Sequence, residues 1–526
     1  MSAVGHVLGK KFRRLLPVMV EGKFFKRIGN CFKQFFTFLD RKIGYGCRCI
    51  LWRHTKTKEN QVMFFPFSHS VGCNLKYISD ELIRRQAPVE IWWSVTNPLT
   101  ARIDAAEIVS KNYEVNENVL RLAGGHRVFG KKLEEWLSEN GGKDSAKAPS
   151  KQEAAVKAPS KQEAAIKAPS KQEAVVKAPS EQEAAVKAPS KEELMAAREI
   201  RKIEAFIEEH VHFIKTNTYE YFEAAAASKV LFTNSLLGDK FYPFPVRKDQ
   251  VVVETWHGSL GIKRFDPAHY NTNVTWPIAA ARTGKLTTQI ISNSSFEDGV
   301  FRETFWKETP ILKYGHARND IFFPQSEQVR SYLKQRFCKD NGLSEDTKFA
   351  LYAPTFRDDH NFAVYDLNAE QTLNALRKRF GGEWKLLLRY HDNDKGGEAK
   401  KNTVKSCDVI DVTKYPDMQS LLAFTDVGIT DYSSWIYDYV LLRKPGFLFA
   451  MDRSKYDNER GFYFRLEDTP FPVSTDSDEL EESILSFDEE LFQKRVTEFL
   501  SDKGCMDDGD ASVRIADQVM EWTGKS

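Results

Sequence analysis

The feature that most constrains this chain is a recurring alternation. Short unbroken apolar runs are each followed by a polar cluster and then by a segment with helical spacing. Residues 62–65, 89–93, 230–232 and 251–253 form one series, and 349–352, 385–388, 409–410 and 427–429 form a second. A strand without polar alternation is buried on both faces, and helices between successive strands supply the cover, so each series predicts a parallel sheet. One series ends before about residue 330 and the other begins after it. The expectation is an α/β chain of two doubly wound, Rossmann-like domains facing a cleft, 61–330 and 331–526. The chain has 526 residues, 41% of them hydrophobic, which is enough to build two such cores and excludes a wholly disordered protein.

Two segments fall outside that pattern. Residues 1–60 predict a basic amphipathic arm. Up to residue 58 there are 14 Lys and Arg against Glu21 and Asp40, so a segment of charge +12 precedes a remainder of −10. Phe24, Ile28, Phe32, Phe35 and Leu39 recur at helical spacing, with Lys23, Lys26, Arg27 and Lys33 beside them. An apolar stripe edged with cations suits the headgroup boundary of an anionic bilayer, where each basic residue adds about 1 kcal/mol. The aromatics form a stripe and do not interleave as a stacking platform, so no nucleic acid is expected. The second segment, 143–190, interrupts the first domain. Residues 147–186 are four decapeptides of the type KAPSKQEAAV, and a fifth unit begins at Lys187. A proline in every unit breaks a continuous helix, although Ser150 to Glu153 has the form of a capping box. The array is expected to be a spacer without catalytic residues.

Seven cysteines, an odd and sparse number, predict a reducing compartment. No run reaches the roughly 18 apolar residues of a membrane span, and the N-terminus lacks the order of a signal peptide. The expected location is therefore the cytoplasmic face of the membrane, held peripherally by the arm.

Ligands of open parallel sheets bind beyond the carboxyl ends of the strands. Four polar clusters stand there: Trp256-His257-Gly258, residues 354–359 with Arg357 and Asp358, Arg389-Tyr390-His391-Asp392, and Asp431-Tyr432-Ser433-Ser434. Ser433 and Ser434 precede a helical segment, 435–442, and place hydroxyls and free N–H groups where a phosphate is stabilised. Arg357 and Arg389 can fork onto phosphate oxygens. His257 and His391 can move a proton near neutral pH. Gly258 lets the backbone come close to a ligand. A P-loop, a G-x-G-x-x-G run and a His-Glu-x-x-His motif are absent, and Cys47 and Cys49 lack a second ligand pair for zinc. No metal is required by the sequence, and Mg²⁺ could accompany a pyrophosphate.

An ordered set of motifs is more specific. It runs Glu254-Thr255-Trp256-His257-Gly258, Gly315-His316-Ala317-Arg318-Asn319-Asp320, Tyr352-Ala353-Pro354-Thr355-Phe356-Arg357-Asp358 and Tyr415-Pro416-Asp417-Met418. Then come Thr430-Asp431-Tyr432-Ser433-Ser434 with Asp438-Tyr439, Arg460-Gly461-Phe462-Tyr463 and Asp508-Gly509-Asp510-Ala511-Ser512. This series resembles the CDP-glycerol glycerophosphotransferases, the teichoic-acid polymerase and primase family that also includes capsule polymerases. The resemblance covers about residues 215–526 well and 61–140 loosely. It implies a GT-B-like fold, a CDP-glycerol or similar CDP-polyol donor in the C-terminal domain, and a lipid-linked or polymeric anionic acceptor at the N-terminal domain. It also implies that a basic N-terminal region meets the inner membrane face. Matched by motif, His257 and His391 correspond to the family's essential histidines, and Arg357, Asp431, Ser433 and Ser434 to its donor-phosphate positions. Gly258, Arg318, Asp358, Arg389, Tyr432 and Asp438 complete the candidate substrate-binding set. Ala317 stands where the family usually has proline, and Ser259-Leu260 where it often has Thr-Pro. The reaction implied is transfer of a polyol phosphate to an acceptor hydroxyl with release of CMP. A GT-B glycosyltransferase using a nucleotide sugar is the alternative, and a non-catalytic glycan-binding protein the third class.

Overall fold

The computed structural model describes residues 50–124, 188–260, 264, 275–355, 367–390, 408–453 and 461–525, less positions 53, 68, 236 and 238–245; of residues 275–279 it describes the backbone alone. The basic arm up to residue 49, Cys47 and Cys49 with it, and the decapeptide array lie outside the described residues.

The first series of apolar runs forms β1 (Lys58–Phe65), β2 (Glu90–Val95), β4 (Ser228–Thr233) and β5 (Val251–Glu254), joined by β3 (Val211–Lys215), β6 (Gln289–Ile291) and β7 (Ile311–Leu312). They make one sheet in the order β3-β2-β1-β4-β5-β6-β7, with every adjacent pair parallel. The second series forms β8 (Lys348–Tyr352), β9 (Trp384–Leu388), β10 (Val409–Asp411) and β11 (Val427–Thr430), joined by β12 (Gly446–Phe449) and β13 (Val473–Ser474). Their order is β10-β9-β8-β11-β12-β13, again all parallel. Val62, Phe64, Val230, Phe232, Val253, Leu351, Leu387 and Ile429 have essentially no exposure, as strands covered by helices on both faces require. In each sheet the strand order reverses once, between β1 and β4 and between β8 and β11. Such switch points open a crevice at the carboxyl ends of the strands.

Helices begin where their caps predict. The fifth decapeptide unit, which departs from the repeat after Ser190, starts the helix Lys191–His210 with a complete capping box: Ser190 Oγ accepts from the Glu193 N–H and Glu193 Oε2 from the Ser190 N–H. The helix Glu117–Ala123, before the array, packs against this helix after it, and Arg201 donates to the Leu122 carbonyl.

Side chains from both lobes meet across the cleft. Phe337, in the helix Glu327–Asp340, packs on Phe349 and Phe424 at ring distances of 5.3 and 5.0 Å, while Arg336 and Lys339 of the same helix pair with Asp104 and Glu117 of the first lobe. Tyr77 donates to Asp417 Oδ2 at 2.8 Å. The last helix, Ala511–Trp522, returns to the first lobe. Asp320 accepts from the Ala511 and Ser512 N–H groups at 3.0 and 2.7 Å, Arg85 pairs with Asp517, and Trp522 lies 6.4 Å from Phe232. The second domain is thus tied to the first at both of its ends. Among the described residues no helix is long and apolar enough to cross a membrane.

Candidate functional site

The site is built from six strand exits. At the end of β5 the chain turns sharply: Trp256 has φ 53°, in the left-handed region that side chains other than glycine rarely adopt. Two contacts hold this turn. The Trp256 N–H donates to Glu254 Oε1 at 2.8 Å, and the indole packs 5.4 Å from Trp306 in a buried cluster with Ile290 and Phe301. Gly258 follows, and a Cβ there would stand 2.6 Å from the indole nitrogen of Trp256. The close approach that this glycine permits is therefore to the folded-back tryptophan.

The turn presents His257. Its Nδ1 lies 2.5 Å from the Asn234 carbonyl at the exit of β4, a contact that requires the proton on Nδ1 and leaves Nε2 as the basic nitrogen. Burial pulls the imidazole down to about 4; the Asn234 carbonyl opposes this and the Arg318 charge reinforces it. The ring is neutral at pH 7. Phe67, at the exit of β1, lies flat on it at 4.9 Å with an interplanar angle of 8°.

Arg318 and Asp438 are held by each other. The guanidinium is buried, and its Nε and Nη2 meet the two Asp438 carboxylate oxygens at 3.0 and 3.2 Å. Nη2 also donates to the Gly258 carbonyl, Nη1 to Cys73 Sγ at 3.4 Å, and Asp438 Oδ2 accepts from Gln419 at 3.0 Å. Asn74 completes the knot: its Oδ1 accepts the Arg318 N–H at 3.1 Å and its Nδ2 donates to the Thr255 carbonyl at 2.9 Å. Both residues come from the substrate-binding set. Their geometry makes them a strut between the lobes, from the His257 loop to the helix Trp435–Tyr439.

On the second lobe Ser434 is the N-cap of that helix, four residues before Asp438, so the two lie on one helix face. Its side chain makes no cap hydrogen bond, and Ser433 and Ser434 are both half-buried at the end of β11. Asp431 and Tyr432 are turned inward. Asp431 Oδ1 accepts from the Thr355 N–H at 2.8 Å and the Tyr432 N–H, tying the β8 and β11 exits together, and Tyr432 OH donates to Asp452 at 3.0 Å. Arg389 leaves β9 half-buried and donates from Nη1 to the Tyr415 carbonyl at 2.7 Å. His391, Arg357 and Asp358 lie outside the described residues.

The structure thus brings His257, Gly258, Arg318, Asp438 and Ser434 into one connected path across the cleft. Sequence reasoning passed over Phe67, Cys73, Asn74, Asn234 and Gln419. Phe67 and Asn234 stand at strand exits, the position that selected the other clusters, so that same rule could have found them. Among the described residues no group of three His, Cys, Asp or Glu side chains could hold a metal ion.

A family model described as CDP-Glycerol:Poly(glycerophosphate) glycerophosphotransferase matches residues 175–521. A teichoic acid poly(glycerol phosphate) polymerase of Staphylococcus epidermidis is 30% identical over 324 residues, 58% of this chain and 43% of that protein. A polymerase of the same description from Bacillus spizizenii is 25% identical over 343 residues, 62% of this chain and 84% of that one. A teichoic acid ribitol-phosphate primase of B. spizizenii is 29% identical over 299 residues, 55% of this chain and 74% of that one. The chain therefore spans less than half of the S. epidermidis relative and most of the other two. Among solved structures, the wall teichoic acid polymerase TagF superposes with a TM-score of 0.59 at 21% identity, covering 94% of this chain and 98% of that chain. That likeness gives this chain the GT-B-like architecture.

Proposed function

This chain belongs to the CDP-glycerol:poly(glycerophosphate) glycerophosphotransferase family, and we propose that it transfers glycerol phosphate from CDP-glycerol to an acceptor hydroxyl with release of CMP, in the synthesis of a teichoic-acid-like polymer. The observation that carries the reading is the path from His257 to Ser434. A neutral imidazole with one nitrogen fixed by Asn234 stands on one lobe, two serine hydroxyls stand at a helix start on the other, and a single buried arginine joins them.

In this reaction His257 Nε2 takes the acceptor hydroxyl proton while the oxygen bonds to the donor's β-phosphorus. The bond from that phosphorus to the bridging oxygen breaks, and the electron pair leaves with CMP. The ring begins neutral, so every molecule near pH 7 has a base ready. The donor's two negative charges favour imidazolium and move the nitrogen toward the range in which proton transfer is efficient. Ser433, Ser434 and Arg389 are assigned to the donor phosphates. Catalysis then rests on position and on donors aimed at developing charge. No resident metal is part of the proposal, and Mg²⁺ would act through the pyrophosphate it accompanies. The S. epidermidis relative is a poly(glycerol phosphate) polymerase, which is the reason for choosing glycerol over ribitol.

The test is a donor screen with the purified full chain and a phosphate-terminated polyol acceptor. CDP-glycerol is expected to yield CMP and an acceptor heavier by one glycerol phosphate. UDP release from UDP-sugars, with CDP-glycerol untouched, would replace the proposal with a glycosyltransferase.

A further inference from the structure

We propose that Phe67 is a positioning residue for His257: its ring, lying flat against the imidazole, keeps water off that face and holds the ring in the one orientation in which Nε2 serves as the base. The inference rests on the role given to His257 above and concerns a residue that neither the motifs nor the comparisons select.

Three features carry it. The ring centroids are 4.9 Å apart and the planes 8° from parallel, an offset stack that covers part of one imidazole face. Phe67 is itself fixed, because its N–H donates to Asn234 Oδ1 at 2.7 Å, and the carbonyl of the same Asn234 holds His257 Nδ1. One buried asparagine therefore fixes the Phe67 backbone through its side chain and the His257 ring through its carbonyl. Finally, Phe67 is 55% exposed, so it adds little to the core, and burial alone does not explain a large apolar side chain at this position.

The charged and titratable groups around His257 act in known directions. Arg318, from the 3-10 turn Ala317–Phe322, disfavours imidazolium, although Asp438 offsets its charge. The Asn234 carbonyl favours the protonated ring. Glu254, at the end of the strand before the turn, has its pKa raised well above the ordinary carboxylate range by burial, which weakens its charge near the ring. Dehydration is the largest of the influences that hold the imidazole down to about 4, and the Phe67 ring lies against that imidazole.

The test is an NMR titration of the full chain labelled at histidine, with the His257 resonance assigned by its loss in His257→Gln. In the parent protein this resonance is expected to stay in the neutral form down to about pH 5. In Phe67→Ala it is expected to titrate one to about two pH units higher, toward the ordinary histidine value near 6.5. Phe67→Trp is expected to keep the low value. The acid limb of kcat/KM for CMP release should move with the resonance, which a merely structural role would not produce. Parent-like titration in Phe67→Ala, or an equal loss of rate at every pH, would overturn the inference. The titration needs no substrate. If the parent chain released no CMP at all, the proposed function would fail while the part assigned to Phe67 would still be decided.

Discussion

Glu254 shows how a single residue prepares the site. Its carboxyl is wholly buried at the end of β5; one oxygen accepts from the Trp256 N–H that holds the strained turn before His257, and the other has no hydrogen-bond partner among the described residues. Burial raises its pKa well above the ordinary carboxylate range. A group raised in the folded state stabilises fully below its unfolded value and loses that contribution as pH rises through the folded value, at about 1.4 kcal/mol per unit of difference. Glu254→Gln keeps a neutral acceptor for the Trp256 N–H and removes the titration. Thermal melts should therefore show Glu254→Gln equal to the parent near pH 4 and more stable than it at pH 8. A parent-like fall in stability toward pH 8 in the variant would contradict this assignment. The sequence marked Glu254 as part of a motif, but its burial depends on the flanking strands β4 and β6, which no local pattern encodes.

At the scale of elements, the strut between the 3-10 turn Ala317–Phe322 and the helix Trp435–Tyr439 governs how the lobes meet. Removing one member of a buried ion pair leaves an uncompensated charge and costs about 3–5 kcal/mol, whereas replacing both by apolar residues of similar size is often neutral. Arg318→Met alone and Asp438→Leu alone should each lower the melting temperature, and the double variant should recover most of the loss. CMP release should stay low in Arg318→Met and in the double variant, since both lack the bond to the Gly258 carbonyl. Recovery of both stability and turnover in the double variant would make the pair ordinary packing. The elements themselves were largely legible. The runs at 62–65, 251–253, 349–352 and 427–429 are the cores of β1, β5, β8 and β11, because a continuous apolar run beside a polar exit has few other solutions. β6 and β7 escaped because two or three residues carry no period, and β3 because it is half-exposed at a sheet edge. The pairing of Arg318 with Asp438 was not legible. Both residues appear in motifs, and a charged residue in a motif suggests a ligand until its partner 120 residues away is seen.

For the whole molecule, we propose that the basic arm brings the two-lobed chain to a membrane surface. Ile50 and Leu51, the first described residues of the arm, are 63% and 65% exposed, while Trp52 is anchored on Phe222 at 5.4 Å. Sedimentation with vesicles should show binding that rises with anionic lipid, falls with salt and is lost when residues 1–49 are removed. Binding to neutral vesicles alone would contradict an electrostatic arm. Excising 147–186 should leave the melting temperature nearly unchanged and turnover within about twofold, because the flanking helices already pack on each other and loop length alone costs little, about 0.6 kcal/mol per doubling. Collapse of either would give the array a structural part. The central claim is that His257 is the base acting on a donor held by the opposite lobe. Its most direct test is CMP release from CDP-glycerol by His257→Ala at saturating donor. The account predicts that kcat falls at least about 10²-fold while the affinity for CDP-glycerol is unchanged. Near-parent turnover in that variant would contradict it.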